Sequence, residues 1–82
     1  MLQWSGKLTT LVQIGNLKIR VFANDHNPPH FHIGTPDHAA AVSISSLEII
    51  AGTMPNTDLK VALRWARENQ EALESEWNRL NG

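Results

Sequence analysis

The chain has no cysteine and no long apolar run, and each absence removes a class of protein. Without cysteine there is neither a disulfide framework nor a thiolate metal cage. No apolar stretch approaches the length of a membrane span, and no charged-then-apolar leader opens the sequence, so a cytoplasmic protein without a membrane segment is expected. The formal net charge is only −1, which disfavours a general nucleic-acid binder, because the surface of such a protein would be strongly basic.

What remains is an ordinary globular composition, with 41% hydrophobic residues in a chain of 82. This length predicts a single domain over residues 1–82 with one small core. Such a core rarely supplies more than about 3–5 kcal/mol of stability, so association with another chain would supplement it.

The stretch Asn24–Gly34 is the most informative part of the sequence, because it holds three of the four histidines. Pro28 and Pro29 each fix φ near −65° and offer no N–H, so they predict a stiff turn. His30 and His32 follow the prolines at a spacing of two residues. On a strand they would share one face, with Cα atoms roughly 6.5 Å apart.

The rest of the chain predicts an α+β fold, in which an antiparallel sheet of four to five strands carries one long C-terminal helix packed on one face. The predicted strands are Thr9–Ile14, Leu17–Ala23, His30–Ile33 and His38–Ser45. Leu47–Ala51 is either a fifth strand or a single helical turn. The helix is expected to begin at Asn56 or Thr57 and to run to about Leu80.

This helix would be roughly 36 Å long, whereas a six-residue strand reaches only about 20 Å. The helix must therefore cross the sheet diagonally, break near Asn69, or overhang. An overhanging end with Trp77 and Leu80 would favour a homodimer.

The first two strands predict a hairpin. Gly15-Asn16 suits a type II′ turn that pairs Ile14 with Leu17. Continuing this register without interruption places Thr10 opposite Val21 and Leu11 opposite Arg20.

The outer face of the sheet is expected to be polar. In the favoured register His30 lies opposite Ala41 and His32 opposite Ala39, so small partners would leave both imidazoles accessible. The neighbouring strand adds three side chains to this face: Lys18, Arg20 and Phe22.

Two chemistries fit this face, beside the simpler interpretation of a solvated polar surface. His30, His32, Lys18 and Arg20 could together bind an anion, including a phosphate of nucleic acid. Phe22 could stack a base there.

The second chemistry is a divalent-metal site, with zinc as the expected ion. Two imidazoles on a rigid element can share a metal, but they need a third ligand. His26 is the favoured third ligand, which gives the set His26, His30 and His32. Asp25 and His38 are the other candidates.

Several segments together resemble a known family. The run His-Asn-Pro-Pro-His-Phe-His-Ile at 26–33, the lead-in at 52–55 and the helical segment at 63–66 are similar to the small bacterial proteins of domain of unknown function 4160. The resemblance spans roughly residues 8–80. It implies a compact α+β domain, encoded beside another small protein in an association of the toxin–antitoxin kind.

These observations predict a small intracellular binding or regulatory module, one component of a two-protein pair. No Ser/His/Asp arrangement and no glycine-rich phosphate loop is evident, so the sequence does not favour an enzyme. Two alternatives stay open at this point. One is a divalent-metal protein, hydrolytic in function, and the other is a toxin component that contacts RNA or DNA.

Overall fold

The computed structural model describes residues 7–82, in which five strands form one antiparallel sheet and two helices follow it. The strands lie side by side in chain order: β1 (Leu8–Ile14), β2 (Leu17–Phe22), β3 (His30–Gly34), β4 (Ala39–Ser43) and β5 (Ile49–Gly52). The helices are α1 (Asn56–Glu68) and α2 (Gln70–Asn81). The predicted α+β class and antiparallel sheet are confirmed, and the segment after Leu47 is a strand. Among the described residues, no helix has the length and apolar character needed to cross a membrane.

The C-terminal helical region, which was expected as one long helix, consists of two helices because it breaks at Asn69. The backbone of Asn69 leaves the helical region, with φ −129° and ψ 26°. Its side-chain amide donates to the carbonyl of Trp65 at 2.8 Å, and its N–H donates to the carbonyl of Ala66 at 3.0 Å. Asn69 thereby satisfies carbonyls that the interrupted helix leaves without a partner. Asn69 is the position at which a break was considered because the helical region is longer than the strands.

Of the three alternatives for the long helical region, the structure shows the break, and the end of α2 lies on the sheet without overhanging it. Trp77 is only 6% exposed and belongs to the hydrophobic core, and Leu80 packs against that core while partly buried. A homodimer through Trp77 and Leu80 stays a prediction, without the protruding apolar surface that suggested it.

The core lies between one face of the sheet and the two helices. Each of its members exposes less than a tenth of its surface to solvent: Leu17, Ile19, Val21, Phe31, Ile33, Ala40, Val42, Ile44, Met54, Ala62, Ala66, Leu73 and Trp77. Along β2 and β3 they alternate with polar residues, which confirms the two-residue period read from the sequence. Each fully buried large side chain contributes about 1.5–3 kcal/mol to folding.

The predicted hairpin turn is confirmed. Gly15 has φ 60° while Asn16 does not have a positive φ, which is the pattern of a type II′ turn. Ile14 pairs with Leu17, as the turn requires.

Further from the turn, the predicted register of β1 and β2 is wrong. A bulge between Thr10 and Val12 leaves Leu11 as the extra residue, so Thr10 pairs with Arg20 and not with Val21. Leu11 therefore does not lie opposite Arg20. A bulge of one residue exchanges the faces of the strand beyond it.

The register of β3 and β4 also differs from the prediction, but the faces are preserved. His30 pairs with Ser43 and His32 with Ala41, where Ala41 and Ala39 had been expected. The connecting loop covers residues 35–38, one position later than predicted. Because each partner moves by two residues, it stays on the same face of the sheet.

Gly52 generates a sharp prediction about stability. It has φ 78°, and a Cβ atom there would lie 2.3 Å from the carbonyl oxygen of Ala39 and 2.9 Å from the Cα atom of Ala40. Gly52→Ala should therefore lower the free energy of unfolding by at least about 2 kcal/mol, since it adds a backbone clash to an unfavourable φ. Gly15→Ala is the matched control, because its φ is also 60° but nothing lies within 4 Å of the added atom. Its cost should be about 1 kcal/mol. Equal losses in urea unfolding would contradict the steric argument.

A second prediction concerns the contact between β1 and α2. Glu76 accepts hydrogen bonds from Arg79 and from the hydroxyl of Thr9. These two hydrogen bonds lower the pKa of Glu76 below its ordinary 4.5. Partial burial acts against them, whereas the positive charge of Arg79 adds to their effect. The contribution to stability is thus present above that value and is lost as the pH falls through the folded-state pKa. Glu76→Gln should reduce the urea midpoint more at pH 7 than at pH 3. The exposed Glu74→Gln should change neither, and a loss for Glu76→Gln that is equal at both pH values would disprove the assignment.

Candidate functional site

The loop of residues 23–29 joins β2 to β3 and brings Asp25 toward the two histidines of β3. Asn24 has φ 60°, a conformation that asparagine adopts more readily than most residues. The peptide bond between Asn27 and Pro28 is cis. The N–H of His26 donates to Asp25 Oδ1 at 3.0 Å, which leaves Oδ2 directed at the histidines.

Asn81, in the last turn of α2, fixes this loop to the end of the sheet. Its Oδ1 accepts the N–H of Asp25 at 2.9 Å, and its Nδ2 donates to the carbonyl of Phe22 at 2.9 Å. The same Nδ2 lies 3.2 Å from the carbonyl of Trp77. One side chain therefore connects the loop, β2 and α2.

Three side chains converge at this place, and we refer to Asp25, His30 and His32 as the triad. Asp25 Oδ2 lies 2.9 Å from His30 Nε2 and 3.1 Å from His32 Nε2. The nitrogen and oxygen atoms that each residue offers all lie within 4.8 Å of one another. The rings of His30 and His32 are 5.1 Å apart between centroids. The strand geometry thus places both imidazoles on the same carboxylate.

His30 is the buried member of the triad, at 2% exposure. Its ring lies 5.2 Å from the ring of Trp77, and its Nδ1 donates to the carbonyl of Pro28 at 2.7 Å. A carbonyl can only accept, so the proton is on Nδ1, and Nε2 of a neutral ring presents a lone pair to Asp25. The contact is satisfied either by a second proton on the ring or by a cation between Nε2 and Oδ2.

His32 is the accessible member. Its side chain is 38% exposed, and its ring meets Phe22 edge-on at 4.7 Å between centroids. The expectation that both imidazoles are accessible is therefore correct for His32 and wrong for His30. Since the Asp25 side chain is 17% exposed, solvent reaches the triad at Asp25 as well as at His32.

Asp25 is the anionic member. Burial raises its pKa, but the hydrogen bonds from His32 and from the N–H of His26, together with the charges of His30 and His32, lower it by more. The net result is a pKa below the ordinary 3.8, so Asp25 carries a negative charge at neutral pH.

The spacing of the triad atoms suits a divalent transition metal. Ligands at about 2.1 Å from an ion are about 3.0 Å apart at adjacent octahedral corners and about 3.4 Å apart in a tetrahedron. The distances of 2.9 and 3.1 Å from Asp25 Oδ2 to the two histidine nitrogens are close to the octahedral value. Two histidines and one carboxylate form a ligand set that leaves coordination positions open for water or substrate. The Nδ1 hydrogen bond of His30 is the kind of contact that orients a metal-binding histidine.

His26 and His38 lie outside the triad. The side chain of His26 is 82% exposed, and its Nε2 is 4.0 Å from Asp25 Oδ1. His38 is exposed in the loop after β3, where its N–H donates to Thr35 Oγ1. The structure thus groups His30 and His32 with Asp25, in the place that the sequence analysis had given to His26.

Lys18 and Arg20 lie on the outer face of β2, as predicted, and line a groove that begins at His32. This groove has a volume of about 510 Å³ and extends over the outer face of β2 and β3 to the loop at 35–36. Arg20 pairs directly with His32 across the two strands, and Phe22 lines the end of the groove nearest the triad. His30 is buried and does not line it.

Two contributors were not identified as site residues from the sequence, namely Asn81 and Trp77. Each is more than 45 positions from its contact in the triad, and nothing in the local pattern of a helix end connects it to a distant loop. Asp25 was named only among several candidate third ligands. Its neighbour Asn24, a residue that tolerates positive φ, was the available signal for a chain reversal at this point.

The relation of this chain to known proteins rests on one family match. Neither the curated proteins nor the solved structures contain a match. A family model described as domain of unknown function (DUF4160) matches residues 16–78, which include β2 to β5, α1 and most of α2. The chain belongs to the DUF4160 family.

Proposed function

We propose that this protein binds a divalent transition metal through Asp25, His30 and His32, and that the ion keeps open coordination positions on the side of His32. The observation that carries the proposal is the approach of two imidazole nitrogens to one carboxylate oxygen, at 2.9 and 3.1 Å. In the absence of a cation this arrangement needs a proton on each nitrogen. A single metal ion replaces both protons and is bound by all three groups.

The surroundings of the triad support this proposal. Pro28 orients His30 through Nδ1, Asn81 holds the backbone of Asp25, and Trp77 covers the buried side. A metal with three protein ligands in a partly dry site can polarise a bound oxygen and lower the pKa of bound water. That chemistry is the hydrolytic alternative of the sequence analysis, with Asp25 as the third ligand.

Other functional predictions rest on the sequence and the family resemblance alone. They comprise a regulatory module paired with a second small protein encoded nearby, in the manner of a toxin–antitoxin pair, and a toxin component that contacts RNA or DNA. Co-purification with the product of the adjacent gene tests the first of these.

Zinc titration tests the metal proposal directly. At a free zinc concentration a hundred times the Kd, the free energy of unfolding should rise by about 2.7 kcal/mol, which corresponds to roughly 10–20 °C in Tm for a chain of this size. His32→Ala and Asp25→Asn should abolish this rise, because each removes one ligand while the buried His30 stays in place. Metal analysis of dialysed protein should give one ion per chain.

The controls separate the two candidate ligand sets. His26→Ala and His38→Ala remove exposed histidines that lie outside the triad, and both variants should keep the zinc-dependent rise in Tm. A loss in His26→Ala together with retention in Asp25→Asn would assign the third ligand to His26. No stabilisation of the unaltered protein by zinc, iron(II), manganese or nickel would refute the proposal.

Asn81 provides a separate prediction about the support of the site. Asn81→Ala removes the acceptor for the N–H of Asp25 and frees the loop from α2. Loss of such a supporting contact typically weakens metal binding about 10–100-fold, so the variant should bind zinc with a higher Kd but unchanged stoichiometry. Isothermal titration calorimetry measures both quantities. Asn78→Ala, an exposed asparagine one turn earlier in α2, is the matched control; equal zinc affinity in both variants would show that the Asn81 contact does not support the site.

A further inference from the structure

We propose that the groove beside His32 binds a small organic phosphate, with Arg20 and Lys18 as the side chains that hold the phosphoryl group. The groove shares only His32 with the triad, and the proposal does not depend on metal binding. Its volume of about 510 Å³ lies within the range of sites for small molecules, about 300–1,000 Å³.

The charge of the groove selects an anion. Lys18 and Arg20 are two residues apart on β2, so both project from the same face. Among the described residues that line the groove there is no aspartate or glutamate. Within residues 7–82 neither cation forms an ion pair. In a chain with a net charge of −1, this is a local concentration of positive charge.

Arg20 has a donor that lacks a partner. Its Nε atom is buried and makes no hydrogen bond to any residue from 7 to 82. Leaving a buried donor unpaired is unfavourable, and a bound anion would satisfy it. The guanidinium group presents its N–H donors in a planar fork that matches two oxygens of a phosphate, which favours phosphate over a single point acceptor.

The two strands around the groove leave room for such a ligand. Arg20 lies directly opposite His32, so a phosphate on the guanidinium group also comes within reach of that imidazole. Lys18 lies opposite Gly34, which has no side chain to fill the space. A Cβ atom at Gly34 would meet only the carbonyl oxygen of His38, at 4.0 Å. Phe22 adds an aromatic surface for the organic part of the ligand.

The number of cations favours a small ligand over a polynucleotide. Two basic side chains neutralise at most about two phosphates, whereas tight binding to nucleic acid usually rests on about 6–10 such contacts. The groove is also a bounded volume on the sheet and not a continuous basic stripe.

Adenosine 5′-monophosphate is a suitable probe, with adenosine as the matched ligand without phosphate. Calorimetric or NMR titration of the full chain should show saturable binding of the nucleotide that weakens as salt increases, and at least tenfold weaker binding of adenosine. The titration is carried out with zinc-loaded protein and with chelator-treated protein. Binding in both would support the proposal, even if the protein binds no zinc. Binding in neither would overturn it and leave the metal proposal standing.

Three variants locate the ligand. Arg20→Gln should raise the Kd for the nucleotide at least tenfold. Gly34→Leu should do the same by filling the groove, since the backbone at Gly34 does not need a positive φ and a Cβ atom there meets no side chain within 4 Å. Arg64→Gln, which removes an exposed cation from α1, should leave the Kd unchanged. Because none of these residues belongs to the triad, zinc stoichiometry should be the same in all three.

Some outcomes would overturn the assignment. Equal affinity in Arg20→Gln, Gly34→Leu and the unaltered protein would place the nucleotide elsewhere. If Gly34→Leu unfolds, Lys18→Gln takes its place, with the same tenfold expectation. A single-stranded RNA octamer that binds more than a hundred times more tightly than the mononucleotide would replace the small phosphate with nucleic acid as the ligand.

Discussion

The candidate site depends on the contact between one oxygen of Asp25 and the Nε2 atoms of His30 and His32. The carboxylate is 17% exposed and the imidazole of His30 is 2% exposed, so both groups have given up most of their hydration. Removing a charge from water is costly unless it is paired and hydrogen-bonded. The two histidines and the N–H of His26 supply that compensation. This is why the loop of residues 23–29 has a defined position on the sheet.

The position of Asp25 in this contact depends on residues from distant parts of the chain. Asp25 lies in the loop between β2 and β3 but is held by Asn81, 56 positions later in the sequence. Asn81 in turn bonds the last residue of β2, Phe22. The position of the loop in the folded protein therefore depends on α2 being packed on the sheet. The break at Asn69 redirects the second helix, whose last turn then reaches this end of the sheet.

The sequence predicted the faces of the sheet well, because the alternation of polar and apolar residues has a period of two and the buried face fixes which residues point inward. It located Lys18, Arg20 and His32 on the outer face even though the pairing of His32 was displaced from Ala39 to Ala41. Displacing a partner by two residues does not change its face. The bulge at Leu11 did change the faces in β1, and no local residue preference announced it.

The third member of the triad was harder to predict than the two histidines. His30 and His32 are related by a short-range rule of strand geometry, whereas Asp25 joins them through a reversal of the loop at Asn24 and a bond to the end of α2. Reasoning from neighbours in the sequence favoured His26, which is next to Asp25 but is turned to solvent. The burial of His30 was also hard to predict, since Trp77, a residue of a distant helix, packs against its ring.

The two histidines consequently have different roles in the structure. His30 is fixed by Pro28 and Trp77 and anchors the buried side of the triad, while His32 connects the triad to the groove. Arg20 is the direct cross-strand partner of His32. The pairing of β2 and β3 would therefore set the distance between a metal bound at the triad and an anion bound in the groove. A slip of one residue in that pairing would move Arg20 to the opposite face from His32. The core residues Ile19 and Ile33, which pair in the same register and are buried, prevent such a slip because it would expose them to water. The hydrophobic side of the sheet thereby determines the geometry of its polar side.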